Sequence, residues 1–204
     1  MSLLIQNLFQ AVERCLLEEE RPSVCLNSFL EEGSFDKPPF QLLRQQRLTE
    51  QSRVHHPEGN VWNHTLMVVD EAAGRKHEST DPRAFLWAAL LHDLGKPAAT
   101  RTRKGRITAY DHDKIGAELA REFLSHYTED AAFIDTVSNL VRYHMQLLFV
   151  LNDLPFQDIA GMKKSVNLQD LALLCLCDRL GRGGSNREQE EENVRRFLEK
   201  CAAS

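Results

Sequence analysis

Residues 83–97 read RAFLWAALLHDLGKP, and this stretch decides the fold class. From Ala84 to Leu91 every side chain is apolar. Such a segment predicts a helix buried on all sides, at the centre of a bundle. Asp81-Pro82 in front of it supplies an N-cap and a favoured first-turn proline. Gly95 and Pro97 behind it stop the helix, which is predicted over 83–94. His92 and Asp93 are out of place in so apolar a segment. A buried carboxylate is costly unless it is paired or holds a metal.

On either side of this segment, helical periodicity covers most of the chain. Leu4, Leu8, Val12, Cys15 and Leu16 form one stripe. A second helix is predicted over 23–32 with Gly33 as its left-handed stop, and Pro38-Pro39 turns the chain into a third carrying Phe40, Leu43 and Leu48. His55-His56-Pro57-Glu58-Gly59 reads as a turn leading to a helix with Val61, His64 and Val68 on one face. Between 100 and 110, alternation around Lys104-Gly105 predicts a short β-hairpin. Asp111 is expected to cap a helix lined by Ile115, Leu119 and Phe123. Further stripes join Ile134, Val137, Val141, His144 and Leu148, and then Leu168, Leu171, Cys175 and Asp178. Ser185 with Glu188 predicts a capping box for a last helix through Leu198. The fold class is therefore all-α. It is read as one domain over 1–204, with N-terminal helices (1–50), a core over 55–184 and a C-terminal helix (185–204).

The 204 residues suffice for one well-buried domain. A net charge of -5 argues against a basic groove tracking a long duplex. The five cysteines form no CxxC pair and read as thiols of a reducing cytosol. The start of the chain lacks the basic region of a signal peptide, and no apolar run approaches membrane-spanning length. The expected location is cytoplasmic, with no membrane partner.

Three inward-facing stripes each carry a polar residue: His64, the pair His92-Asp93, and Asp178. One buried histidine is usually a satisfied core residue. Three such positions on separate helices, two of them with aspartate, point to a shared metal ligand. Neighbouring helical residues project about 100° apart, so His92 and Asp93 can both reach one ion beside the last turn. The mixed imidazole and carboxylate set suits Mn, Fe, Co, Ni or Zn. Adding His112 and His144 extends the set to two ions about 3.5–4 Å apart with a bridging carboxylate.

The order His64, His92-Asp93, His112, His144, Asp178 resembles the HD superfamily of metal phosphohydrolases. The match is most similar to the HD region of bacterial tRNA nucleotidyltransferases and related poly(A) polymerases. The stretches that carry it are HHPEGNVWNHTLMVVD (55–70), ALLHDLGKPAAT (89–100), YDHDKIGAELA (110–120), LVRYHM (140–145) and CDRLGRGG (177–184). The resemblance implies a helical HD bundle with metal ligands at His64, His92, Asp93 and Asp178, and second-metal ligands at His112 and His144. No Gly-Ser followed by a strand with paired aspartates is seen, so the nucleotidyltransferase domain of those enzymes is not expected here.

The function so implied is hydrolysis of a phosphomonoester or 2′,3′-cyclic phosphodiester, with a small phosphorylated substrate, a nucleotide first among them. Nucleic acid enters only as a short RNA end. Asp93 is the expected catalytic ligand, and Lys96 the cation for a phosphate oxygen. His55, His56, Arg101 and Arg103 are candidate substrate contacts. Two alternatives stay open: a diiron oxygenase on the same ligand order, and a nucleotide-sensing module without turnover.

Overall fold

A computed structural model describes residues 3–203, with side chains from residue 7 onward. Among these residues the chain is helical apart from one hairpin, as its periodicity requires. In order come α1 (Leu3–Glu18), α2 (Pro22–Glu31), α3 (Gln41–Arg47), α4 (Val61–Arg75), α5 (Pro82–Leu91) and α6 (Lys96–Ala99). Strands β1 (Thr100–Arg103) and β2 (Arg106–Ala109) follow, then α7 (His112–Ser125), α8 (Ala131–Tyr143) and α9 (Gln146–Leu151). The chain continues with α10 (Ile159–Ser165), α11 (Leu168–Leu180) and α12 (Arg187–Ala203).

Helix α5 occupies the centre, with α1, α4, α8 and α11 packed around it. Every residue from Ala84 to Leu91 is fully buried. Asp81 accepts a hydrogen bond from the Ala84 N–H at 3.0 Å, and Pro82 opens the helix where no donor is needed. On one flank the rings of Phe9 and Trp87 stack at 4.6 Å. Trp87 Nε1 donates to Glu13, which also receives Arg83 Nε. Burial of each such large apolar side chain contributes roughly 1.5–3 kcal/mol. The buried side chains form one continuous cluster from Phe9 to Cys201.

The glycine with the tightest surroundings lies just beyond α5. A Cβ on Gly95 would stand 2.1 Å from the His112 carbonyl oxygen and 2.6 Å from the Gly116 nitrogen. Both neighbours are backbone atoms, so α6 and α7 would have to separate. Gly95→Ala is therefore expected to cost about 3 kcal/mol, the upper end of ordinary overpacking. At roughly 2–4 °C per kcal/mol, the melting temperature should fall by about 6–12 °C. A calorimetric melt unchanged from the parent would refute this packing.

Several local expectations are corrected. Helix α5 ends at Leu91, so His92 and Asp93 stand in the turn beyond it. Leu48 is 81% exposed, because α3 closes at Arg47 and releases it to solvent. Asp111 makes no cap: its backbone is left-handed (φ 58°) and its carboxylate pairs with Lys114 at 2.7 Å. The face of α7 turned inward carries His112, Asp113, Gly116, Ala120, Phe123 and Leu124, while Ile115 and Leu119 are half-buried. The stripe from Ile134 to Leu148 breaks after Tyr143, placing His144 at the end of α8 and Leu148 in α9. Asn186 caps α12 by accepting from Gln189 N at 3.1 Å, whereas the Ser185 hydroxyl turns back to the Arg179 and Arg182 carbonyls. That helix runs on to Ala203. Leu4 of the first stripe lies outside the described side chains.

Candidate metal centre

Five elements bring their polar residues to one place. His64 comes from the first half of α4, His92 and Asp93 from the turn that follows α5, and Asp178 from the last turn of α11. His112 opens α7, and His144 closes α8. All six are buried, none more than 7% exposed.

Backbone carbonyls set the histidine orientations. His92 Nδ1 donates to Ala89 O at 2.8 Å, His112 Nδ1 to Ala109 O at 2.7 Å, and His144 Nδ1 to Val141 O at 2.6 Å. His64 Nδ1 faces two acceptors, Glu58 Oε1 at 3.0 Å and Gly181 O at 3.3 Å. Each Nδ1 therefore carries a proton, which leaves Nε2 as the ring atom that faces the cluster. All four Nε2 atoms turn towards Asp93.

Asp93 divides the cluster in two. Its Oδ2 lies 3.2 Å from His92 Nε2 and 3.8 Å from His64 Nε2. Its Oδ1 lies 3.5 Å from His112 Nε2 and 3.9 Å from His144 Nε2. Asp178 Oδ1 joins the first group, 3.0 Å from His64 Nε2. Two sets of donor atoms thus meet at one carboxylate, His64-His92-Asp93 and Asp93-His112-His144.

The donor chemistry fits divalent cations. His112 Nε2 and His144 Nε2 stand 3.2 Å apart, although both rings already donate through Nδ1. Two lone pairs facing each other in a dry site call for a cation between them. His92 Nε2 and Asp93 Oδ2 are buried without hydrogen-bond partners. Lys96 Nζ approaches Asp93 Oδ2 to 2.7 Å as an ion pair outside hydrogen-bond angles, and donates to Gln51 Oε1 at 2.5 Å.

Ionisation is ordered accordingly. Burial opposes a charge on Asp93, but His92, Lys96 and His112 overcome it and hold the carboxyl well below its usual range. Asp178 is likewise held down against burial by Arg182 and His64. Burial, then His112 and His92, push His144 down to about 3, and burial also lowers His112. Both rings are thereby neutral at pH 7, as ligation requires. For His64, burial opposes the cation, yet hydrogen bonds to Asp178 and Glu58 raise its pKa.

The family profile described as HD domain matches residues 61–183, a stretch that contains all six residues. The chain belongs to the HD domain family. HD domains bind divalent metals and form a superfamily of metal-dependent phosphohydrolase type. Curated relatives include a Multifunctional CCA protein of Actinobacillus pleuropneumoniae serotype 5b, 30% identical over 161 residues, covering 75% of this chain and 38% of the relative. A CC-adding tRNA nucleotidyltransferase of Thermus thermophilus is 33% identical over 147 residues, 69% of this chain and 32% of that protein. A Multifunctional CCA protein of Pasteurella multocida is 26% identical over 204 residues, 97% of this chain and 47% of its own length. The HD chain thus spans less than half the length of these relatives. No described helix is long and apolar enough to cross a membrane.

The remaining candidates separate. Lys96 reaches the centre, and His56 sits beside it, its ring 4.8 Å from that of His64. His56 is pushed down to about 4 by burial and by Lys96 and His64, and is neutral at pH 7. His55 is exposed with no contact to the cluster, because the turn points it outward. Arg101 is tied to the Ala98 and Thr100 carbonyls, while Arg103 projects from the hairpin.

Three further residues, none of them on the apolar stripes, take part in the centre. Glu58, its carboxylate only 4% exposed, accepts from His56 at 2.9 Å, faces His64, and receives the Gly183 N–H at 3.2 Å. Against the opposition of burial, these donors hold it at about 2. Gln51 anchors Lys96. Arg182 donates to both oxygens of Asp178 through Nη2, at 3.1 and 2.9 Å. Its i+4 spacing from Asp178 on the sequence was the available signal. Arg142 also ties α8 to α7 through Asp113 at 2.6 Å, holding His112 and His144 in register.

Proposed function

We propose that this HD protein is a metal-dependent phosphohydrolase acting on a nucleotide or small phosphate ester, by phosphomonoesterase or 2′,3′-cyclic phosphodiesterase chemistry. One observation carries the reading: the two oxygens of Asp93 face separate histidine groups whose Nε2 atoms converge. His64, His92, Asp93 and Asp178 would hold one divalent ion, and Asp93, His112 and His144 a second, the metal being Mn, Fe, Co, Ni or Zn. When bound, such ions supply an activated water and polarise a phosphoryl oxygen.

The chain's own residues do the positioning. Asp93 sets the separation of the two groups and orients the attacking water. Lys96, held between Gln51 and Asp93, offers its ammonium to a non-bridging phosphate oxygen. Neutral His56, with Nδ1 donating to Glu58, presents an unprotonated Nε2 as acceptor for a substrate hydroxyl. Arg182 balances Asp178 and keeps that carboxylate ionised.

The decisive experiment pairs elemental analysis of purified protein with a screen of nucleoside mono-, cyclic and bis-phosphates, run with and without O₂. Stoichiometric metal with O₂-independent phosphate release is the expected result. Turnover that requires O₂ would transfer the site to the diiron alternative, and tight nucleotide binding without release to the sensing one.

Glu58 provides a separate check, since a carboxylate behind a ligating histidine fixes its tautomer and raises its basicity. Glu58→Ala is expected to weaken metal binding about 10–100-fold, with partial recovery in Glu58→Gln, which keeps one acceptor oxygen. Metal titration of the apoprotein reads this directly, and parental affinity in the alanine variant would remove Glu58 from the site.

A further inference from the structure

Between Asp93 and Asp111 the chain carries five cations, Lys96, Arg101, Arg103, Lys104 and Arg106, and no acidic residue, in a protein of net charge -5. Four of them stand on the β1–β2 hairpin. In its antiparallel register Arg103 lies directly opposite Arg106, and Arg101 opposite Thr108. Directly paired residues share a face, so Arg101, Arg103 and Arg106 project together, with Lys104 in the turn. Like charges placed opposite each other destabilise a ladder. All four are exposed.

Elsewhere on this protein, exposed arginines such as Arg47, Arg121 and Arg195 sit on carboxylates. Among the described residues Arg103, Lys104 and Arg106 have no acidic partner. At the base of the hairpin Tyr110 is 66% exposed, with the Arg103 guanidinium 5.8 Å from its ring centroid. Both feet stand on the metal centre. β1 follows α6, which begins at Lys96, and β2 ends at Ala109, whose carbonyl orients His112. Arg101 fastens the base through the Ala98 and Thr100 carbonyls, leaving the tip cations for a ligand.

We infer that this hairpin is a docking arm for single-stranded nucleic acid, with backbone phosphates along Arg103, Lys104 and Arg106 and a base stacked on Tyr110. Cations combined with an exposed ring are the elements of a single-strand platform. The tip Arg103-Lys104-Gly105-Arg106 has no apolar residue to enter a membrane, and an acidic peptide makes no use of the ring. A phosphorylated strand end reaching the centre rests on the hydrolytic reading; capture of the strand does not.

The test is fluorescence anisotropy with a labelled 3′-phosphorylated oligoribonucleotide of about 10 residues, on metal-free protein in EDTA. The charge reversal Lys104→Glu with Arg106→Glu should keep the parental melting temperature. It should raise Kd at least tenfold and flatten the dependence of log K on log salt by about 1.4, or about 0.7 per lost phosphate contact. Tyr110→Ala should raise Kd by about five- to a hundredfold. Unchanged affinity in both variants overturns the arm. So does equally sensitive binding of a polyglutamate peptide or of phosphatidylserine vesicles. Strand capture without phosphate release from metal-loaded protein would confirm the arm and sink only the hydrolytic reading.

Discussion

Asp93→Ala is expected to abolish metal retention and hydrolysis together. The two carboxylate oxygens serve different histidine groups, so one substitution removes a ligand from both positions. Loss of a partner behind a ligand typically costs 10–100-fold in affinity, and loss of the shared ligand should exceed about 100-fold for each ion. The same carboxylate is the counter-ion of buried Lys96. Stripping one member from a buried pair costs about 3–5 kcal/mol, because the remaining charge is left without compensation. Asp93→Asn preserves the shape of the side chain and separates loss of fold from loss of ligation. Elemental analysis, a thermal melt and phosphate release on both variants give the answer. A folded, metal-free Asp93→Ala protein that still hydrolyses phosphate esters would dispose of the proposed chemistry.

His144→Ala should produce a more selective defect. His144 belongs to the His112 side of Asp93 and makes no contact with Asp178 in hydrogen-bonding range. Burial and its imidazole neighbours keep it neutral, so its removal takes away a ligand without deleting a charge. Bound metal is expected to fall from two ions per chain to one, with turnover lower by at least about tenfold to a hundredfold. The backbone should tolerate the change, since Cys175 Sγ donates to the carbonyl of residue 144 rather than to its side chain. Two ions retained in the variant would show that His112 and His144 do not form a second position.

Much of the candidate centre was legible in the chain because buried polar residues stand out against apolar periodicity. His64 among Val61 and Val68, His92-Asp93 after eight apolar residues, and Asp178 beyond Cys175 each violate the pattern of a core helix. Glu58 and Gln51 gave no such signal, because they lie in turns that have no face to violate. Asp111 and Ser185 were misread as caps for a related reason. Capping depends on backbone angles, and the left-handed conformation of Asp111 aims its carboxylate at Lys114. The break after Tyr143 was hidden because apolar residues on either side continue the same spacing.

By itself, then, the sequence determined the helical class, the apolar centre at α5, the hairpin and the order of residues suited to a metal. Each of these depends on side-chain chemistry at short range, where a period of 3.6 or 2 assigns a face. Only the tertiary structure decided that Asp93 turns one oxygen to His64 and His92 and the other to His112 and His144. It alone decided that Glu58 stands behind His64. Those pairings join helices and turns whose separation in the chain reveals nothing of their distance in space, and helix packing sets them.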